Sequence, residues 1–294
     1  MALQISVGIP SYNEGTSLVD LIEKILSVKL PSDMKLLEVI VSDDSDDGTP
    51  QMLASFADNK TVRLFHHGKR RGVSVAWNEI LTESKGDVVV LIDADTILSD
   101  DFLAKISSKT IESRAGLVAA NSSPLAPKSF FARASFFVGL WLQEVRRSFG
   151  ANSFTVIGRG LALRREVAKK IALPTKLLSP DLYISCRVKE LGYEIQYAED
   201  AVVYFRPTTS ARDFASQVIR AFLGHRQLNS YSERTLQKVP LTDLITKVIH
   251  IARHYPVHAL ATVLAYMLFP FSLPRVLRGA SNYLWDVPKS SKFQ

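Results

Sequence analysis

Cysteine is almost absent from the sequence, which contains only Cys186. One cysteine cannot form an intramolecular disulfide, so the chain suits a reducing compartment. Basic residues are also absent from positions 1–15, where a proline follows at position 10. We therefore expect no secretory signal at this end of the sequence.

Acidic residues are scarce in the last 89 positions. Residues 206–294 contain 12 basic and 4 acidic side chains, whereas residues 1–205 contain 24 and 25. The excess that gives the chain its net charge of +7 therefore lies in the C-terminal third. Because the main part is neutral and aromatic residues do not alternate with basic ones, we expect no nucleic-acid partner.

Charged residues are missing from the 21 positions between Arg253 and Arg275, where three prolines interrupt the apolar run. Its uninterrupted core, Ala259–Phe269, is shorter than the roughly 20 residues that a membrane-spanning helix needs. Since basic residues lie on both sides, we expect an interfacial or re-entrant helix at an anionic membrane. A core helix that closes the domain is the alternative.

Short apolar runs alternate with helical patterns in the first 95 residues. Four runs predict buried strands, namely Gln4–Ile9, Leu37–Val41, Val62–Phe65 and Val88–Ile92. Two segments between them, Ser17–Leu26 and Ser74–Leu81, have the 3.6-residue apolar spacing of helices. This alternation predicts an α/β fold with a mostly parallel sheet. Ligands bind at the carboxyl ends of such strands, so residues 10–14, 42–47 and 93–95 are expected on one rim.

The later part of the chain has a longer helical pattern and weaker strand signals. Phe130–Phe149 predicts a long apolar helix. Shorter helices are expected at Leu161–Ile171, Asp181–Leu191 and Arg212–Leu223, with strands at Glu194–Tyr197 and Ala201–Phe205.

An Asp-Ala-Asp sequence at positions 93–95 directly follows a predicted buried strand. Two carboxylates at this spacing can share one hard divalent cation that keeps waters and phosphate oxygens in its shell. Many strands end in acidic turns, so the motif alone is weak evidence. Its alignment with two other polar strand ends favours a metal site.

Residues 42–49 (SDDSDDGT) contain four aspartates. An EF-hand calcium loop would need a glutamate at its twelfth position, where this chain has Leu53 or Ala54. A solvated turn that caps a helix from Thr49 explains the later residues of the segment. That turn does not explain Asp43, which directly follows a strand and can accept a hydrogen bond from a nucleobase N–H.

Together these segments resemble the family 2 glycosyltransferases, GT-A fold enzymes that use nucleotide-sugar donors. The resemblance rests on residues 9–14 (IPSYNE), 39–49 (VIVSDDSDDGT), 71–72 (RG), 77–78 (WN), 85–87 (KGD) and 91–95 (LIDAD). Their order and spacing are family-like across residues 4–205. The resemblance implies a GT-A catalytic domain at 1–205, with a nucleotide-sugar half at 1–98 and an acceptor half at 99–205. A basic, apolar helical extension would follow at 206–294.

The resemblance also implies roles for particular residues. The nucleoside pocket would be lined by Pro10, Tyr12, Glu14 and Asp43, with Arg71 beside it. Asp95, helped by Asp93, would hold Mn²⁺ or Mg²⁺ against the diphosphate of a UDP- or GDP-sugar. The sequence departs from the family at Ser42-Asp43, where the family usually has two aspartates.

Two further segments resemble the acceptor side of the family. Pro180-Asp181 aligns with a Glu-Asp pair whose aspartate acts as general base in an inverting transfer; alternatively, Asp181 only caps a helix. Residues 217–221 (QVIRA) resemble the Gln-x-x-Arg-Trp element of processive synthases. Because Ala221 replaces the tryptophan, we expect a single addition. Arg220 would face the pyrophosphate or, alternatively, the solvent.

The resemblance thus implies an inverting, metal-dependent hexosyltransferase. A lipid-linked acceptor (polyprenyl or dolichyl phosphate, or a glycolipid) is favoured, since basic charge beside an apolar helix suits an anionic leaflet. We expect the protein on the cytoplasmic side of a membrane, as a peripheral, monotopic or integral protein. The alternatives are a nucleotide-sugar-binding protein without transfer activity and a soluble glycosyltransferase with a non-lipid glycan acceptor.

Overall fold

Strands and helices alternate along the chain in a computed structural model, which describes residues 2–113, 115–150, 152, 154–155, 159–279 and 284. The strands are β1 (Leu3–Ser11), β2 (Met34–Asp43), β3 (Val62–His66), β4 (Val88–Ile92), β5 (Thr96–Leu98), β6 (Ala115–Pro124), β7 (Gly160–Arg164) and β8 (Glu194–Phe205). The helices are α1 (Thr16–Ser27), α2 (Thr49–Leu53), α3 (Val73–Glu83), α4 (Phe102–Glu112), α5 (Phe130–Phe149), α6 (Arg165–Ala168), α7 (Pro180–Glu190), α8 (Ala211–Thr235), α9 (Leu241–His254) and α10 (Pro256–Gly279).

In the described part of the chain the strands form one eight-stranded sheet in the order β3-β2-β1-β4-β7-β6-β8-β5. Four of its pairings are parallel, β1 with β2, β1 with β4, β2 with β3 and β6 with β8. The pairings of β7 with β4 and β6, and of β5 with β8, are antiparallel. The prediction of an α/β fold with a mostly parallel sheet is confirmed.

Burial explains why the apolar runs form central strands. All five residues of β4 are buried, as expected for a strand covered by helices on both faces. On α1, the buried residues Leu18, Leu21, Ile22 and Ile25 recur on one face of the helix. The sheet and the helix patterns therefore place the carboxyl ends of β1, β2 and β4 at one edge.

The predicted helix at Leu161–Ile171 is wrong in its first half. Residues 160–164 form β7, which pairs antiparallel with both β4 and β6, and only the short α6 follows. Leu161, Ala162 and Leu163 are all buried, so their apolar run fits a strand as well as a helix, and the sheet pairing decides. The two strands predicted at 194–205 are one strand, β8, whose register against β6 shifts after Ala120.

The C-terminal third folds into α8, α9 and α10. Ala261 and Ala265 on α10 are buried. Ala265 packs with Ala134 of α5 and Phe214 of α8. No helix within the described residues has both the length and the hydropathy required to cross a bilayer. Residues 280–283 and 285–294 of the predicted extension lie outside the described part, and its predicted boundary at 205 stays a prediction.

Candidate functional site

A cavity of about 750 Å³ opens at the carboxyl ends of β1 and β4. Seven of the residues singled out in the sequence line it, namely Pro10, Tyr12, Glu14, Asp93, Asp95, Asp181 and Arg220. They come from the ends of two neighbouring strands, the start of α7 and the middle of α8. Segments far apart in the sequence therefore meet in one cavity, at the edge where parallel sheets bind ligands.

Asp93 and Asp95 are half-buried on the wall of this cavity. Burial and the neighbouring Asp95 charge raise the pKa of Asp93 to about 7, although Arg159 and Arg220 oppose the shift. Among the described residues, no group of three or more histidine, cysteine or acidic side chains could hold a metal ion. Two oxygen ligands that repel each other nevertheless fit a cation that takes its remaining ligands from water and phosphate.

Asp181 lies in the first turn of α7, where its half-buried carboxylate faces the cavity. Burial raises the pKa of Asp181. Two smaller effects oppose this shift, namely a hydrogen bond from the Leu182 N–H to Oδ1 at 2.9 Å and the positive charges of Arg220 and His225. The N-cap position belongs to Ser179, whose side chain makes no capping hydrogen bond. The Asp181 carboxylate thus accepts one backbone N–H of the first turn and also faces the cavity, where a base with a raised pKa suits proton transfer.

Gly224 allows α8 to approach the start of α7. A Cβ atom at Gly224 would lie 2.0 Å from the Ser179 Oγ, so a larger residue would push the helices apart. This contact brings Arg220 to the cavity, where its Nε donates a long hydrogen bond of 3.4 Å to the Leu178 carbonyl. Arg220 is exposed at the rim, and its charge acts on both Asp93 and Asp181.

Asp43 and Arg71 are not among the residues that line the cavity. The buried Asp43 carboxylate accepts a hydrogen bond from Ser45 and contacts the His66 Nδ1 at 2.8 Å. Arg71 donates from Nε to Asp44 at 2.9 Å and from Nη2 to Glu79 at 3.1 Å.

The neighbours of these two residues, Asp44 and Arg70, line the cavity instead. The Arg70 guanidinium carbon lies 4.2 Å from the centroid of the Tyr12 ring. The cavity lining thus includes the neighbours of Asp43 and Arg71 but not these two residues, and a sequence pattern cannot decide which of two adjacent side chains faces a cavity.

Two further arginines, to which the sequence pattern gave no role in the site, line the cavity. Arg146 comes from α5, and Arg159 precedes β7. The Asp93 N–H donates to the Arg159 carbonyl at 3.4 Å, and the Arg159 guanidinium lies 4.0 Å from the Phe205 ring centroid. Because the sequence pattern predicted a helix where β7 lies, it could not show that Arg159 is placed beside Asp93. The basic pair at the end of α5 was the signal for Arg146, but a basic pair does not show which arginine points inward.

One side of the cavity is apolar. Phe214 of α8 and Tyr266 of α10 both line it, with ring centroids 5.6 Å apart. Phe222, also on α8, lines the cavity and is 65% exposed. The cavity therefore joins an acidic wall to an aromatic rim formed by the C-terminal helices.

The family model described as glycosyl transferase family 2 matches residues 6–172. The match includes the ends of β1 and β4 but stops before Asp181 and Arg220. Over 214 residues the chain is 25% identical to the probable glycosyltransferase YdaM of Bacillus subtilis, covering 68% of this chain and 50% of that protein. Over 93 residues it is 32% identical to a dolichol-phosphate mannosyltransferase of Pyrococcus furiosus, covering 32% of this chain and 26% of that protein. The chain spans about half the length of the curated relatives it matches.

A solved structure of the mannosyltransferase PcManGT from Pyrobaculum calidifontis, in complex with GDP-Man and Mn²⁺, has a similar fold. The TM-score is 0.59 at 20% sequence identity, with 96% of this chain and 80% of that chain covered. The likeness shows the fold alone, and it confirms the predicted GT-A architecture.

We expect Glu79→Gln to weaken the ion-pair network behind the cavity in a pH-dependent way. Burial raises the pKa of Glu79, but hydrogen bonds from Arg71, Ser42 and His67 outweigh it and hold the pKa below the ordinary 4.5. Such a carboxylate stabilises the fold above the unfolded-state pKa, and this contribution is lost as the pH falls through the folded-state value. In urea denaturation, the free energy of unfolding of the variant should be about 1–3 kcal/mol lower than that of the wild type near neutral pH. This difference should become smaller in acid. A loss that does not change with pH would contradict this account.

Proposed function

The chain belongs to glycosyl transferase family 2, and we propose that it transfers a sugar from a nucleotide-sugar donor to an acceptor with inversion at the anomeric carbon. The observation that carries this proposal is the meeting of Asp93, Asp95 and Asp181 in one cavity with Arg220. A protein that only binds nucleotide-sugars would need the first two carboxylates but has no use for a base beside them.

Asp181 has the properties of the base in this reaction. Its carboxylate takes the proton of the attacking acceptor group, which is an alcohol hydroxyl or the P–OH of a phosphate monoanion, and the acceptor oxygen forms a bond to the anomeric carbon. The bond from that carbon to the diphosphate oxygen breaks on the opposite face, and the nucleoside diphosphate leaves. Arg220 at the cavity rim is placed to offset the negative charge of the leaving group.

Asp93 and Asp95 are the residues that would hold a divalent cation, Mn²⁺ or Mg²⁺. Their charges repel each other in a half-buried wall, and this repulsion is relieved by a cation. When bound, such an ion neutralises the diphosphate and makes it a better leaving group. The aromatic and polar groups at Tyr12, Arg70 and Asp44 form the part of the cavity proposed for the nucleoside.

We further propose a lipid-linked acceptor and a position on an anionic membrane surface. Exposed apolar side chains lie along α9 and α10, at Leu241, Ile245, Ile249, Val257, Leu260, Val263, Leu264, Met267 and Leu268. An apolar surface of this extent is unusual for a soluble monomer. The exposed Arg253 and the net charge of +8 over residues 206–294 complement an anionic leaflet. Because α10 also supplies Tyr266 to the cavity, a lipid tail would have a short path from the membrane to the site.

The metal prediction is tested with Asp95→Asn and a chelator. Transfer from a panel of UDP- and GDP-sugars should be lost in chelator, restored by Mn²⁺ or Mg²⁺, and absent in the variant at every metal concentration. Asp100→Asn is the matched control, since that side chain is exposed, outside the cavity and paired with Lys24. Full activity of the wild type in chelator would contradict the metal role. Metal-dependent donor binding without transfer to any acceptor would favour the binding-protein alternative.

Asp181→Asn should lower the transfer rate by about 10²–10⁴-fold, because the amide keeps the shape of the side chain but cannot accept the proton. The donor dissociation constant should not change, since the base acts on the acceptor. Glu190→Gln, at the exposed end of the same helix, is the control. A variant with a near-normal rate would exclude Asp181 as the base.

Vesicle flotation tests the membrane proposal. The wild type should float with acidic-lipid vesicles, and high salt should weaken this binding only in part because the apolar contact is not screened. Leu260→Glu with Leu264→Glu should abolish flotation, whereas Ile111→Glu, an exposed apolar position on α4, should not. Wild-type protein that stays in the soluble fraction would overturn the proposal.

A further inference from the structure

Arg146 is a buried cation on the wall of the cavity. It is 3% exposed, near the end of α5. Its Nε and Nη1 have no hydrogen-bond partner among the described residues. Burial lowers the pKa of Arg146 to about 10, and Tyr197, which forms a hydrogen bond with the guanidinium group, opposes this shift. Burying a charge without a counterion is costly, so native proteins rarely keep one without a reason.

The adjacent Arg147 is a direct contrast. It is 54% exposed and forms ion pairs with Glu199 and, at 3.9 Å, with Glu144. Lys247 of α9 occupies the other oxygen of Glu144 at 3.0 Å. Glu144 and Glu199 near the end of α5 thus form their ion pairs with Arg147 and Lys247. Arg146 lines the cavity instead.

The position of Arg146 relates it to the reacting groups. Arg146 lines the same cavity as Asp93 and Asp95, and Arg159, whose charge acts on both Arg146 and Asp93, lines it as well. A second orphan group, the buried Ser122 Oγ of β6, lines the same cavity without a hydrogen-bond partner among the described residues. Both groups lie in the acceptor half of the chain, beyond the strand ends proposed for the donor.

We propose that Arg146 binds a phosphate group carried by the acceptor substrate. This inference rests on the proposed function, in which the donor diphosphate is held by Asp93, Asp95 and Arg220. Phosphate is the ligand that a guanidinium group matches best, since two parallel N–H groups can donate to two of its oxygens. A bound phosphate would supply the missing counterion. The phosphate can belong to a polyprenyl phosphate headgroup or to a soluble phosphorylated acceptor, and both present the same chemistry to Arg146.

Thermal unfolding of the full chain tests this proposal without requiring turnover. Farnesyl phosphate should raise the melting temperature of the wild type, and farnesol should not, because the phosphate is the group that is bound. Arg146→Met should abolish the shift, with a dissociation constant at least about tenfold higher. Arg147→Met is the matched control, and it should keep the shift. Inorganic phosphate is a further probe that distinguishes a lipid headgroup from a soluble phosphorylated acceptor. If it raises the melting temperature, a soluble phosphate suffices. If only farnesyl phosphate does so, the lipid tail is also needed.

Unliganded Arg146→Met shows whether the arginine is instead structural. Because Nε and Nη1 of Arg146 have no partner among the described residues and its one side-chain hydrogen bond is to the neutral Tyr197, its removal should leave the melting temperature nearly unchanged or raise it, whereas loss of a structural ion pair would lower it clearly. In transfer assays the variant should raise the acceptor KM and leave donor binding unchanged. Three outcomes would overturn the proposal. The melting temperature could rise equally with farnesol and farnesyl phosphate, it could still rise in Arg146→Met, or it could rise with none of the probes. Absence of transfer in a wild type that still binds phosphate through Arg146 would count against the proposed function alone.

Discussion

The repulsion between Asp93 and Asp95 is the constraint on which the rest of the site depends. β4 is buried along its whole length, and the two carboxylates follow it directly. The protein instead surrounds the pair with Arg159 and Arg220, which oppose the rise in the pKa of Asp93. Both cations line the same cavity as the two carboxylates. A site arranged in this way favours a partner that brings positive charge to the acids and negative charge to the arginines, as a metal-bound diphosphate does.

The antiparallel strand β7 connects the strand before this acidic wall to the later strands of the sheet. It pairs with β4, so the preceding Arg159 lies opposite Asp93, and its other neighbour is β6. β5 then pairs with the end of β8, which places Phe205 against the Arg159 guanidinium. One reversal of strand direction therefore brings the two acids and Arg159 to the same cavity. Parallel pairing alone would not produce this arrangement.

The strand ends were predictable from the sequence because burial and polarity change sharply there. An apolar run such as VVVLI followed by Asp-Ala-Asp needs no tertiary information. The direction of individual side chains was not predictable in the same way. Asp43 and Asp44 have the same chemistry, but only the second lines the cavity, and Arg70 and Arg71 differ likewise. β7 was mistaken for a helix because its apolar run is too short to have a distinctive period, and its strand character comes from its neighbours.

The same C-terminal helices provide an exposed apolar and basic surface and several residues that line the cavity. Their charge and exposed apolar side chains suit a membrane surface, while Arg220, Phe214 and Tyr266 on the same helices complete the cavity. A displacement of α10 would therefore change the aromatic rim as well as the outer face. If these helices bind lipid, binding and access of the acceptor to Asp181 are coupled through one packed unit, because α10 packs on α8 and α8 packs on the start of α7. The membrane would then orient the acceptor as well as retain the enzyme.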